Sequence, residues 1–593
     1  MARLTILSVA APLFLMTACS PKTVSDFDEY LELIQASNNM LKYMEGRKPN
    51  PWDEAAASEV ASRLAPVLST LRYVTTSMMW DATGVPDRTN GAIMKKIYSE
   101  VISVQGSIRK LCSHFHYAYF RNVTLQRLFL QILLAHPATL PEKEGLEEDA
   151  LYSSMRSIYC SASIQTENGQ MSQLYPHLAD VMSKSGDEAS LKNTWIRWHR
   201  QATRPQRKLF INYTTLLDKK AKLSGFSSLK DAWLSSYETE RIDLSFKQLW
   251  KEIRYLYMLL HAFVRKELGE LYGKKHFDGR NIPAHLLGDM FGQNWKHLYP
   301  HLAKKYEFPT FHAKWKKKVS SSVVFQEAEQ FFISLGLQRL PASFWQRSIL
   351  KEGSTNDMMC QPMSLFVSSH QDIRIHMAVF NERESDVSHM LGHVYYFMQL
   401  SKLHPAFQRE ANEGLREAVA DIRFLSSSSP SGLIEQGLLE KDNISSPIPF
   451  LLRTSLETLP LLPFAYSLDL WRWRLSQGHI PLKVMNKGYW SLRYFVSTVM
   501  QFQIYEQLCV MCGYRITQYD FYKCNLRSCH KAGDAIRKAL QLGTSTHWKE
   551  PFHILTGSSH LSVSSMIKYF GPLKKWLEER TKGESLGWSQ LYR

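Results

Sequence analysis

The sequence predicts a mainly α-helical protein with a small β element, and three observations predict it. Apolar residues recur at helical spacing through most of the 593 residues. Runs with strand alternation are sparse, and Gly, Pro, Asn and Ser cluster between the periodic stretches rather than inside them. No Gly/Ser-rich or Pro-rich linker divides the chain and no internal repeat occurs, so one large unit is expected.

The elements follow in order. Arg3 precedes an almost wholly apolar run from Leu4 to Met16, which exits through Thr17-Ala18-Cys19-Ser20. That pattern predicts a secretory signal peptide over residues 1–19, too short to span a membrane. Leu15-Met16-Thr17-Ala18-Cys19 also fits a bacterial lipoprotein site, ranked second. Leu249, Trp250, Ile253, Leu256, Tyr257 and Leu260 repeat at three and four and predict a core-facing helix from Phe246 to Leu271. Similar spacing predicts helices over Gln326–Leu335 and Met500–Cys509. Breaks are expected at Asn281-Ile282-Pro283, at Leu340-Pro341, from Ser428 to Gly432 and from Gly478 to Pro481. Phe366 to Ala378 is the best place for an extended stretch.

Hydrophobic residues make up 44% and charged residues 21%, which excludes a disordered or fibrous chain. The formal charge is +17, but the Lys and Arg are scattered. The densest run, Lys314-Trp315-Lys316-Lys317-Lys318, reads as a solvated helix face, and no nucleic-acid-binding signature is present. No later stretch is apolar enough for a membrane anchor, and the end, Trp588 to Arg593, carries no lipid-tail signal. Sequons at Asn122, Asn212 and Asn443 suit a secreted glycoprotein. Losing Cys19 with the signal leaves seven cysteines, an odd number.

One constellation carries metal chemistry. In His389-Met390-Leu391-Gly392-His393 two imidazoles at i and i+4 share a helix face. Glu417 follows 24 residues after His393, and Asp421 shares its helix face. Glu417 completes a His₂Glu set with an open fourth position, and Asp421 is placed to orient a ligand histidine. On these residues alone, a hydrogen-bonded core histidine pair stands as an equal alternative. His297 and His301 repeat the spacing around Pro300 without a third ligand and read as an accident. Cys509, Cys512, Cys524 and Cys529 fit structural zinc or disulfides, with disulfides favoured in a secreted chain. No Gly-x-Ser-x-Gly elbow, phosphate loop or dinucleotide fingerprint occurs.

Several segments, read in order, resemble the angiotensin-converting enzyme family. Ile282 to Met290 (IPAHLLGDM) resembles its IPAHLLGNM, and Gly392 to Gln399 (GHVYYFMQ) its GHIQYFMQ. Glu417 to Asp421 is similar to EAIGD, and Leu462 to Tyr466 with Asp469 to Arg474 is similar to LPF-Y…DQWRWR. Tyr494 to Ser497, Gln501 to Gln503 and Leu586-Gly587-Trp588 complete the series. The resemblance is clear from about Leu223 onward, weaker back to Thr75 and absent near the start. It therefore assigns residues 20–74 to a divergent N-terminal segment and 75–593 to the metallopeptidase-like domain.

The resemblance implies a single two-lobed helical domain around a deep central channel. It implies a zinc peptidase that releases C-terminal dipeptides from short peptides, usually with chloride activation. It makes His389, His393 and Glu417 the zinc ligands. It places Gln293 on a residue that holds the substrate's terminal carboxylate, Arg493 on a chloride-binding arginine and Tyr494 on an oxyanion-stabilising tyrosine.

The departures from the family matter as much. Met390 stands where the family has a glutamate that takes the proton from the attacking water and gives it to the leaving amine, which a thioether cannot do. Gln361 and Pro362 replace a histidine and an alanine on the peptide-binding strand, and Pro362 lacks a backbone donor. Trp490 to Phe495 joins two pieces that the family keeps apart, and the missing stretch carries a lysine, a histidine and a tyrosine of the site. Such an abrupt join is what a skipped exon or a gene-model error leaves. Cys160 lacks its near partner, Ala378 stands at the position of the mate of Cys360, and Cys524 replaces the usual partner of Cys509, where Tyr519 stands. The expected function is a secreted, zinc-binding, catalytically impaired relative that binds short peptides. An active peptidyl-dipeptidase is the alternative, and a metal-free structural protein with relic ligands is the third reading.

Overall fold

The computed structural model describes residues 24–588 apart from 82–87, 167–168, 275–276, 278–279, 310, 312–320, 353–362, 369–371, 380–383, 441–445 and 479–491. It is 70% helical, a mainly α single domain as expected. The signal segment 1–19, the lysine run Lys314–Lys318, Cys360-Gln361-Pro362, Asn443 and the Trp490-Ser491 side of the join lie outside the described residues.

Two main hydrophobic cores organise the chain. Helices Val24–Gly46, Glu54–Asp81, Arg88–Ser113 and Val123–Ala135 build the first, around Tyr30, Leu64, Val74, Ile97, Val104 and Phe129. Phe407 and Ala406 join it from far along the chain. The second and larger core gathers the rest, with Phe246, Ile253, Leu260 and Phe263 of helix Ile242–Tyr272 inside it. That helix extends the predicted span Phe246–Leu271 by one turn at its start. The stretches predicted at Gln326–Leu335 and Met500–Cys509 are parts of helices Ser321–Ser334 and Leu492–Met511. At Ser428–Gly432 the chain restarts rather than loops. Ser429 caps helix Pro430–Glu435 by accepting from Gly432 N, with Pro430 in the first helical turn, where no amide partner is needed.

The predicted extended stretch Phe366–Ala378 divides into two strands, Met363–Ser368 and Asp372–Val379, paired antiparallel with Met363 opposite His376. Ile349–Glu352 adds a parallel strand on the other side of Asp372–Val379. A separate hairpin pairs Ser163–Gln165 with Met171–Gln173. The larger sheet packs on helices Glu54–Asp81 and Glu384–Leu400, so it lies against the segment that carries the two histidines.

The cysteine cluster forms two disulfides, Cys509–Cys524 and Cys512–Cys529, not a metal site. Cys160 is also disulfide-bonded, which corrects the expectation that it is left single. Disulfide pairing follows which segments meet in space, and linear spacing does not reveal that. Cys112 is a free thiol inside the first core. Among the described residues no helix is long and apolar enough to cross a membrane.

Candidate metal centre

Two helices carry the donors. His389 and His393 project one turn apart from helix Glu384–Leu400. Glu417 sits on the short helix Glu413–Ala420. Asn412 starts that helix by accepting from Leu415 N at 2.7 Å, and Glu413 in its first turn complements the positive end of the helix dipole. Asp421 stands at the break after this helix, not within it, and Gln501 of helix Leu492–Met511 donates to its carbonyl at 2.9 Å.

The two helices approach closely because of Gly392. A Cβ there would lie 2.4 Å from Ala420 Cα and 2.8 Å from Ala420 O, so only glycine permits the contact. The donors then converge. The Nε2 atoms of His389 and His393 are 3.0 Å apart, and Glu417 Oε2 is 3.1 Å from the first and 3.7 Å from the second. Tetrahedral zinc with bonds of 2.0–2.1 Å would separate its donors by about 3.3 Å, so the spacing fits. His389 Nδ1 donates to Asp421 Oδ1 at 2.8 Å. That bond fixes the ring so that its Nε2, the atom that would serve as ligand, faces Glu417 Oε2. Among the described residues this is the only group of three His, Cys, Asp or Glu side chains positioned to hold a metal. His297 and His301 do not form one.

The protonation states suit ligands. Burial, followed by the neighbouring His389, holds His393 well below the usual imidazole range, so its ring is neutral. Burial alone would raise Glu417. The Arg416 guanidinium and the bond to His389 outweigh it and keep the carboxyl well below its ordinary value.

Sequence reasoning missed Arg416. Its Nη2 donates to Glu417 Oε1 at 2.8 Å, leaving Oε2 to face the histidines. The available signal was a basic residue directly before the carboxylate. Arg493 is buried, with Nε 3.8 Å from Glu417 Oε1 and Nη1 3.7 Å from Glu413 Oε2, and it packs over the Tyr494 ring at 5.0 Å. The structure thus gathers His389, His393, Glu417, Asp421 and Arg493, with Tyr494 beside Arg493. Gln293 lies on a separate loop, Phe291 to Trp295, which Asp289 holds by accepting from Phe291 N and Asn294 N. Met390 is buried in the larger core, next in sequence to the first histidine. Asn122 and Asn212 are exposed.

Residues 51–493 and 491–588 match the family described as Angiotensin-converting enzyme (Peptidase_M2). The first match begins inside the segment 20–74, and the two stretches meet at the abrupt join. The chain is 33% identical over 525 residues to an Angiotensin-converting enzyme of Mesocricetus auratus, covering 81% of this chain and 40% of that one. It is 30% identical over 522 residues to the Angiotensin-converting enzyme-like protein Ace3 of Mus musculus, covering 80% and 70%. Against an Angiotensin-converting enzyme of Theromyzon tessulatum the identity is 27% over 554 residues, covering 86% and 89%. This chain spans about two fifths of the length of the mammalian Angiotensin-converting enzymes it matches. With its sequence motifs, its helical fold and its His–His–Glu cluster, the chain belongs to the angiotensin-converting enzyme family.

Proposed function

We propose that this chain is a secreted, glycosylated zinc-binding relative of the peptidyl-dipeptidases that binds short peptides and is impaired in cleaving them. The convergence of His389, His393 and Glu417 beside the buried Met390 carries the reading. His389, His393 and Glu417 would hold the ion, with Asp421 orienting the first histidine and Arg416 the glutamate. Bound zinc supplies a Lewis acid that polarises a peptide carbonyl and acidifies water. Tyr494 would stabilise the oxyanion, Gln293 would hold a peptide carboxylate, and Arg493, which also faces Glu413 and Glu417, would be the residue that holds any chloride. The thioether of Met390 has no proton to hold or move, so the proton-transfer role is vacant. Retention of all three ligands together with Arg493 and Tyr494 favours residual peptidase activity as the second reading.

Metal analysis tests the centre. The protein secreted from eukaryotic cells is expected to carry about one zinc per chain, and Glu417→Ala to carry almost none. Asp421→Ala should bind zinc about 10–100-fold more weakly, the usual effect of removing a ligand's hydrogen-bond partner. Equal zinc in wild type and in a His389→Ala/His393→Ala double variant would sink the assignment.

A further inference from the structure

A second region of the molecule holds two arginines that make no ion pair among the described residues. A cavity of about 330 Å³ lies between helices Glu54–Asp81, Arg88–Ser113 and Val123–Ala135 on one side and the segment from Pro405 to Arg416 on the other. Its volume is in the range of small-molecule sites. Carboxylates line it, and each stands beside a cation. Glu238 pairs with Arg127 at 2.6 Å and Glu148 with Lys220 at 3.0 Å. Glu410 faces Arg416 at 3.4 Å, and Glu413 faces Arg493 at 3.7 Å.

Arg72 and Arg409 also line the cavity. Among the described residues neither guanidinium makes an ion pair. Arg72 donates to Gln408 Oε1 and, at 2.9 Å, to Pro405 O, and it lies over the Phe366 ring. Arg409 has one long bond, Nη1 to Gln131 O at 3.5 Å, and its remaining donors have no protein acceptor among the described residues. Interior charges are ordinarily paired, because taking a charge out of water without a partner is costly. Burial is the main cause of the low pKa values here, and around Arg409 the carboxylates Glu410, Glu238 and Glu413 act against it. Burial and then Arg409 pull Arg72 down to about 10, and burial, then Arg409, Arg72 and Arg109, pull His136 down to about 3.

We propose that this cavity is a carboxylate-binding site, in which Arg72 and Arg409 take the head of an acid whose apolar body lies against Leu71, Met79, Val101 and Phe366. The planar fork of a guanidinium matches a carboxylate in bidentate geometry. The cavity is far larger than a halide ion, and its apolar wall suits a side chain or a short acyl chain. Arg416 lines the cavity and also holds Glu417, so the site adjoins the metal centre without sharing its ligands. The proposal rests on the peptide-binding reading only for the source of the carboxylate, an acidic residue of a bound peptide rather than a free organic acid.

Calorimetric titration of the full secreted chain tests it, with and without a zinc chelator. The probes are acetyl-Leu-Glu-Leu-amide, its glutamine counterpart and hexanoate. The glutamate peptide is expected to bind at least tenfold more tightly than the glutamine peptide. That preference should vanish in Arg409→Gln and in Arg72→Gln, each shown to be folded by circular dichroism and thermal melting. If hexanoate binds and depends on Arg409 while neither peptide binds, the carboxylate site stands and the peptide-binding reading fails. Equal binding of the two peptides with no binding of hexanoate, or binding of either acid undiminished in both arginine variants, overturns the proposal.

Discussion

Met390→Glu is expected to raise cleavage of a blocked tripeptide at neutral pH by about 10²–10⁴, the usual worth of a positioned general acid–base. The substitution puts a carboxyl directly after His389, the first histidine of the proposed metal site. Met390 is only 4% exposed, and burial raises a carboxyl's pKa toward the range in which it both accepts and returns a proton near pH 7. The gain should still leave a slow enzyme, because Gln361, Pro362 and the short join before Arg493 stand where the family resemblance puts peptide-positioning groups. Grafting the family's missing stretch ahead of Arg493 should add a further increment. Zinc content and melting temperature, measured on every variant, separate lost chemistry from lost folding. A wild-type rate within about tenfold of the Met390→Glu rate shows that the proton-transfer role was assigned wrongly, and the chain then ranks as a working peptidase.

Gly392→Ala is expected to cost about 3 kcal/mol or more and to release the metal. Overpacking a tight core typically costs about 1–3 kcal/mol when side chains can yield. Here the added methyl meets the backbone of Ala420, at 2.4 Å from its Cα, and backbone yields only if the two helices part. Parting them moves Glu417 away from the histidines, so zinc occupancy should fall with stability. Gly106→Ala is the control. That glycine lies within helix Arg88–Ser113 with nothing near its Cβ position, and the exchange should be neutral or stabilise by up to about 1 kcal/mol. Chemical denaturation and metal analysis of both variants check this. Retained zinc and a midpoint matching Gly106→Ala would mean that the ligand helices do not depend on their close contact.

Much of the architecture was legible because it is local. The apolar spacing of Leu249 to Leu260 is a property of one helix face, and it survives into the fold nearly unchanged. The i, i+4 histidines share a helix face for the same reason. Glu417 was harder, since its distance from His393 along the chain says nothing about distance in space. The residues alone left a His₂Glu set level with a hydrogen-bonded core pair, and the family motifs favoured the ligand reading. What stayed hidden depends on which distant segments meet. Arg416 matters because it reaches Glu417 Oε1, and Gly392 because Ala420 lies against it. Arg72 and Arg409, which make no ion pair among the described residues, are 337 positions apart and meet only across the cavity. Asp421 was expected inside a helix. It stands at a helix break, because the next residues turn into helix Ile422–Ser427.

Cys112 gives the first core a chemical clock. Its thiol is fully buried, and burial pushes its pKa up, so neither the sulfur nor its reactive thiolate is offered to a reagent while the helices around it stay closed. Alkylation can proceed only as fast as that layer opens. Its rate therefore measures the breathing of helices Arg88–Ser113 and Val123–Ala135, while the helices that carry His389, His393 and Glu417 pack into the other core. Loading or stripping zinc leaves this rate unchanged if the two halves open independently, and slows or speeds it if they open together.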